Sequence, residues 1–483
     1  MKKIVMIILA AAHFAWAGAQ VKPVDGRISK MKLTATELAH YMAPGVNLGN
    51  TMEACDWNDV FTNQAGLKSE TSWQNDKTTE SFIRSLKQQG FNSLRIPTSW
   101  VAGHLIDKQN MTIDPAWVLR IKEIVNYGLN AGLCVIINEH WDGGWMEHDA
   151  FTNQVNVSEH KEMYRKLWVN IANQFKEYDQ RVLFAALNEP GVGGASPQAK
   201  GEMLAPDSKE FADRLLEYEQ VFLNAVRSTG GKNAKRVLIV QGPKTEIDLA
   251  DKDTYDITRL KDNAKNRLMA EVHFYDPYTF TLMDKDADWG KVALYWKGHA
   301  PADDQGRTVN TIWYNNKNVD AYQHITNQVM KMKRKFVDLG YPVVIGEYGA
   351  NRKDTSLFGG NQEKHNESMM AWYGAVTAEM MKAGLIPYVW DINVQPLPHM
   401  TIFDRKKQVV SDSYIFKGVM QGAAEGMEDY LKIYPKPLKK AEKAIINKHS
   451  LDLYVERAKK YHAFLPLFSI FATENESLNC KLK

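Results

Sequence analysis

Eight short apolar runs, each ending in polar residues and each followed by a helical or loop segment, constrain this chain more than any other feature. The runs are Gly45–Gly49, Phe91–Ile96, Leu133–His140, Val182–Glu189, Val237–Gln241, Leu268–Tyr275, Val343–Tyr348 and Ile386–Asp391. Continuous apolar runs suit strands buried on both faces, as in a parallel sheet. Helical patterns fall between them at Lys77–Gln89, Pro115–Ala131, Ser158–Glu177, Ser208–Ser228, Asp320–Leu339 and Glu363–Lys382. Ser411–Glu425 follows the eighth run, and the segment between the fifth and sixth is short. Such alternation predicts an α/β chain closed into a (β/α)8 TIM barrel, one catalytic domain over residues 31–430 with long βα loops. A doubly wound open sheet would normally bring a glycine-rich phosphate loop, and neither G-x-G-x-x-G nor a Walker pattern occurs.

The ends of the chain read differently. Met1-Lys2-Lys3 precedes apolar Ile4 to Ala12 and then small residues at Ala15, Ala17 and Ala19, which is the order of a bacterial signal peptide over residues 1–19. The protein is therefore expected to be secreted or periplasmic, and the apolar core is too short for a membrane span. Residues 431–483 form a tail of unassigned role, with Pro435, Pro437, a lysine cluster and an apolar patch at Ala463–Phe471. Three widely spaced cysteines, Cys55, Cys134 and Cys480, make neither a disulfide framework nor a zinc site. Cys134 lies in an apolar run and reads as core. A net charge of +3 without a basic stripe excludes nucleic acid as the expected partner. Oligomeric state is not legible.

In a parallel barrel, chemistry gathers at the C-terminal strand ends. Those ends carry Arg95, His140, Asn188-Glu189-Pro190, His273 with Tyr275, Glu347 and Trp390. His273 and Tyr275 are two apart and share a strand face, as do Ile345 and Glu347. Asn188 and Glu189 would alternate across the strand, so both reach one cleft only if its tip twists or bulges. The longest loops, Thr51–Asp76 and Asp276–Asn318, bring Trp57, Trp73, Trp289, Trp296 and Trp313, and the third loop adds Trp141 and Trp145. Together these suit an aromatic cleft that stacks on sugar rings. Glu139 beside His140 does not make a metal site, because adjacent strand residues point apart and no H-E-x-x-H is present.

The set resembles glycoside hydrolase family 5, the retaining β-glycanases that include many bacterial cellulases. The resemblance spans roughly Met31 to Glu428. It rests on Arg95, His140, Asn188, Glu189, His273, Tyr275, Glu347 and Trp390 in order, with Gly45-Val46-Asn47-Leu48-Gly49-Asn50-Thr51 similar to the family's first strand. Trp141 departs from it, standing where related glucanases often carry a second histidine. The resemblance implies an endo-β-1,4-glucanase with Glu189 as acid/base and Glu347 as nucleophile, acting without metal or other cofactor. Donors from Arg95 and Tyr275 around Glu347 would favour its ionised form. Asn188 would bind the sugar 2-hydroxyl, His140 and His273 would hold hydroxyls or orient the carboxyls, and Trp390 would lie under the reacting ring. Asn47, Trp57 and Trp145 complete the candidate substrate-binding set. The polymer could instead be xyloglucan, mixed-linkage glucan or mannan. A protein of another class, a non-catalytic glycan-binding barrel, would have no need of both glutamates.

Overall fold

A computed structural model of the chain describes residues 31–437, apart from residue 305 and the side chain of Trp57. The expected signal peptide, nearly all of the tail and Cys480 lie outside the described residues.

Eight parallel strands close into a barrel: β1 (Gly45–Asn47), β2 (Ser93–Ile96), β3 (Cys134–Asn138), β4 (Val182–Ala185), β5 (Leu238–Gln241), β6 (Leu268–Phe274), β7 (Val343–Tyr348) and β8 (Leu385–Val389). Each pairs with its sequence neighbours, and β1 pairs with both β2 and β8 to close the ring. Every strand residue is buried, as the uninterrupted apolar runs require. Helices α1 (Glu80–Gln89), α2 (Pro115–Asn130), α3 (Val157–Gln174), α4 (Lys209–Ser228), α5 (Ile247–Ala250), α6 (Ala321–Lys335), α7 (Gln362–Lys382) and α8 (Ser413–Ile433) follow the strands in turn. Their starts are set locally: Asp114 caps α2 ahead of Pro115, and Ser208 and Asp320 cap α4 and α6 through their side chains. The unclear segment between the fifth and sixth runs is α5, a single turn.

Two boundaries differ from expectation. Helix α8 runs to Ile433 rather than Glu425, and buried Tyr434 then donates its hydroxyl to the Gly384 carbonyl, 2.8 Å away. Apolar periodicity weakens in the last turns of α8, but Tyr430 and Tyr434 still anchor them. Strand β4 stops at Ala185, four residues before Glu189. The conflict over Asn188 and Glu189 is thereby resolved without a bulge, because both lie beyond the strand. A bulge occurs instead in β7, between Ile345 and Glu347. At Gly346 a Cβ would stand 1.8 Å from Glu271 Oε1, so only glycine admits that carboxyl.

Cys55 and Cys134 are both buried and free. No helix among the described residues is long and apolar enough to cross a membrane.

Candidate active site

The barrel interior is apolar below and charged at its C-terminal mouth. Arg95, at the end of β2, is fully buried and organises the charged layer. One terminal nitrogen donates to Glu347 Oε1 at 3.0 Å and to Asn47 Oδ1 at 3.1 Å. The other donates to Asn188 Oδ1 at 2.7 Å, and Nε pairs with Glu271 Oε1 at 3.1 Å. A planar guanidinium can serve four partners from three strands and a strand tip, which an ammonium could not.

Glu271 and His273 share a face of β6. His273 lies 3.4 Å from Glu271 through Nε2 and 2.7 Å from Glu189 Oε1 through Nδ1. Burial opposes charge on this imidazole, but the Glu347, Glu189 and Glu271 carboxyls outweigh it and push His273 up to about 10. It is an imidazolium at neutral pH and donates from both nitrogens. Burial acts on Glu271 too, but the Arg95 and His273 cations hold it below the ordinary glutamate range.

Glu347 receives Arg95 on Oε1 and the Tyr275 hydroxyl on Oε2, each at 3.0 Å. The donors expected from sequence are in place, but they do not set the net direction. Burial pushes the Glu347 carboxyl above the ordinary range, His273 and Arg95 oppose this, and Glu189 adds to it. Glu189 is the more open of the two glutamates, with its side chain 23% exposed against 8% for Glu347. Oxygens of Glu189 and Glu347 and a nitrogen of His273 lie within 4.8 Å of one another. Three such groups could also suggest a cation site, but an imidazolium has no lone pair to offer a metal.

Burial lowers His140 well below the ordinary histidine range, so it is neutral. Its Nδ1 lies 3.2 Å from Asn138 Nδ2, and its ring stacks on that of Trp390 at 6.0 Å with planes 12° apart. Trp390 remains half-buried at the mouth.

Three candidates fall elsewhere. Trp145 is fully buried, against Phe61, His160 and Tyr164, because the third loop turns inward after Gly143 and Gly144. It is core, not cleft. Asn47 is also buried: its amide donates to the Gly346 carbonyl at 2.8 Å and its oxygen braces Arg95, so it supports the site from beneath rather than meeting a sugar. Trp57 begins a short 3-10 turn, and its side chain lies outside the described residues. Of the other loop tryptophans, Trp73, Trp289 and Trp313 are exposed, Trp141 is half-buried and Trp296 is buried.

Two residues escaped the sequence reading. Glu271 could have been found, since it stands two before His273 on one strand face. Glu147 gave no such signal. It lies in the third loop, is 1% exposed, and accepts from Asn188, Glu189 and Trp141. Burial, then the Glu189 charge, pushes it up to about 8.

A closed parallel barrel with two carboxyls this close at its C-terminal mouth, one wedged among cations and one open to solvent, has the architecture of a retaining glycoside hydrolase. Comparison with known proteins agrees. Residues 55–395 match the family model described as cellulase, glycosyl hydrolase family 5. The chain belongs to glycoside hydrolase family 5. It is 29% identical over 434 residues to endoglucanase A of Paenibacillus barcinonensis, covering 86% of this chain and 96% of that one. It is 31% identical over 398 residues to a xyloglucan-specific endo-beta-1,4-glucanase of Bacteroides ovatus, covering 81% and 70%. Among solved structures, a family 5 xyloglucan-specific beta-1,4-glucanase from a ruminal metagenomic library, in complex with XXLG, is 34% identical. It matches with a TM-score of 0.69 over 82% of this chain and 97% of that one. The protein is a retaining endo-glycosidase.

Proposed function

We propose that this protein is an exported endo-β-1,4-glucanase in which Glu189 is the acid/base and Glu347 the nucleophile. The observation that carries the assignment is the separation of their oxygens, within 4.8 Å. Retention needs about 5–5.5 Å between the two carboxyls, whereas inversion needs room for a water and roughly 6.5–9.5 Å.

The surroundings divide the roles. Glu347 is held on both oxygens, by Arg95 and Tyr275, so its attack direction is fixed before substrate arrives. The same donors offset its burial as it acts in the anionic form. Glu189 has its exposed side toward the cleft, where a leaving oxygen can reach it. His273 touches Glu189 at 2.7 Å and lies 3.7 Å from Glu347, so one cation serves both carboxyls as charge passes between them. Asn188, held by Arg95, is placed for a sugar 2-hydroxyl, and the Trp390 ring for the apolar face of the reacting sugar.

Glu189→Ala should lose about 10²–10⁴-fold on unactivated glucan, the usual worth of general acid help. It should retain the first step with an activated aryl cellobioside, and azide should speed release as a β-glycosyl azide. Glu347→Ala should form no covalent intermediate at all. Mass spectrometry with a 2-fluoro aryl cellobioside decides the matter: label found on Glu189 in the parent reverses the roles.

A second reading of the substrate is xyloglucan, supported by the two xyloglucan-specific relatives at 31% and 34% identity. Reducing-sugar release from carboxymethylcellulose, barley β-glucan, xyloglucan, xylan and mannan separates the readings. Export rests on the residue order of the first 19 positions, and N-terminal sequencing of exported protein tests it.

A further inference from the structure

Glu147 belongs to no part of the two-carboxyl chemistry, yet it is the most heavily bonded acid beside it. Its Oε1 accepts the Asn188 side-chain amide at 2.8 Å, the Glu189 backbone N–H at 3.1 Å and the Trp141 backbone N–H at 3.2 Å. Its own backbone carbonyl accepts the Gly191 N–H at 2.7 Å. Glu147 thus grips the Glu189-Pro190-Gly191 corner on both sides of a proline that can donate nothing. It also holds Trp141, whose φ of 57° and ψ of −66° put a bulky residue in a sparsely populated conformation.

Beyond Ala185 no strand pairing fixes Asn188 or Glu189. The Asn188 side chain is held from two directions, its oxygen by Arg95 and its amide nitrogen by Glu147. The Glu189 carboxyl is fixed at one end by His273 and its backbone at the other by Glu147.

We propose that Glu147 is a positioning residue for the acid/base: one buried carboxyl oxygen replaces the missing strand ladder and sets where Glu189 and Asn188 point. This rests on the assignment of Glu189 as acid/base. Burial raises the Glu147 carboxyl, and the nearby Glu189 charge raises it further. A protonated carboxyl accepts on its carbonyl oxygen and resembles a primary amide in shape. Glutamine should therefore substitute for it, while methionine, of similar length, offers no such oxygen.

The test uses the whole chain with Glu147→Gln and Glu147→Met, and Glu189→Ala in parallel. Turnover is measured on barley β-glucan and on 2,4-dinitrophenyl cellobioside, whose leaving group needs no proton. Glu147→Met should lose about 10²-fold in kcat on the polymer, the usual consequence of a misplacement near 1 Å. It should lose less than about tenfold in the first step on the aryl glycoside. Glu147→Gln should restore polymer turnover to within about fivefold of the parent, a small change against that loss. Equal losses on both substrates, or a glutamine variant no better than methionine at an unchanged melting temperature, would overturn the proposal. If the methionine variant does not fold, the glutamine variant decides: a folded Glu147→Gln protein that loses 10²-fold also overturns it. If Glu189→Ala shows no dependence on leaving group, the acid/base assignment itself fails. If it does show that dependence and Glu147→Met does not, only the role of Glu147 fails.

Discussion

Glu271→Gln tests whether the site is built around an imidazolium. In the parent, Glu271 Oε1 faces Arg95 Nε at 3.1 Å and His273 Nε2 at 3.4 Å, while Oε2 accepts from Gln241 at 2.6 Å. Glutamine preserves the volume but carries no charge and only one acceptor oxygen. Turned toward the two cations, that oxygen leaves an amide facing the Gln241 amide; turned the other way, it sets N–H groups against both cations. Gln241 cannot readily flip, because its oxygen accepts the Leu187 N–H at 2.9 Å. A hydrogen bond to a charged group is worth about 1.5–3 kcal/mol. At about 1.4 kcal/mol per pH unit, His273 should lose its proton roughly one to two pH units sooner than its parent value of about 10. Because the folded chain holds that proton more tightly than an ordinary histidine, the associated stability is complete below 6.5 and is lost as pH rises through about 10. In the variant the loss should begin correspondingly earlier. At pH 7 the variant should also be less stable by roughly 3–5 kcal/mol, the range for stripping one partner from a buried pair. Histidine-selective ¹⁵N NMR titration reads the protonation, and urea unfolding at pH 7 and 9.5 reads the stability. A His273 already neutral at pH 7 in the parent, or one that titrates identically in both proteins, refutes the reasoning.

Other expectations follow from the same geometry. Trp145→Ala should cost about 3–5 kcal/mol in urea unfolding while leaving KM for β-glucan at the parent value, because the residue is core. Burial places Glu347 above the ordinary 4.5, so kcat/KM should fall on acidification before an exposed glutamate would titrate. Tyr275→Phe removes a donor that opposes that rise, so the acid limb of its pH–rate profile should lie at higher pH than the parent's. Removal of residues 438–483 should leave turnover on soluble glucan within about twofold of the parent, since α8 ends at Ile433 and Tyr434 seals it. A truncated protein that folds but is inactive would contradict this.

The barrel was legible because its strands are buried on both faces and so read as uninterrupted apolar runs. Arg95, His273 and Glu347 were legible because polar types at the ends of such runs are conspicuous. What escaped was set by loop conformation. The strand ends were read too long at β3 and β4, because apolar residues such as Ala186 and Leu187 continue into the corner that carries Glu189. Trp145 was taken for a cleft residue since an aromatic in a loop carries no mark of the side to which the loop turns; two glycines with positive φ, Gly143 and Gly144, send it inward. Glu147 has no periodic neighbour, and its bonds go chiefly to backbone N–H groups, which any sequence possesses.

Arg95 and Glu347 are 252 positions apart in the chain, and Arg95 and Asn188 are 93 apart. The strand that joins the two ends of the sheet, β1, pairs with β2 on one side and β8 on the other. Contacts of such long separation form slowly, because loop closure must precede any reward from them. The helices and local turns can therefore appear on refolding well before the charged layer exists. Diluted from denaturant, the chain should regain its helical circular dichroism first and its glucan turnover later, in step with protection of the β1 amides from hydrogen exchange. Enzymatic activity then becomes a clock for closure of the ring, and no partially closed intermediate should carry a working fraction of it.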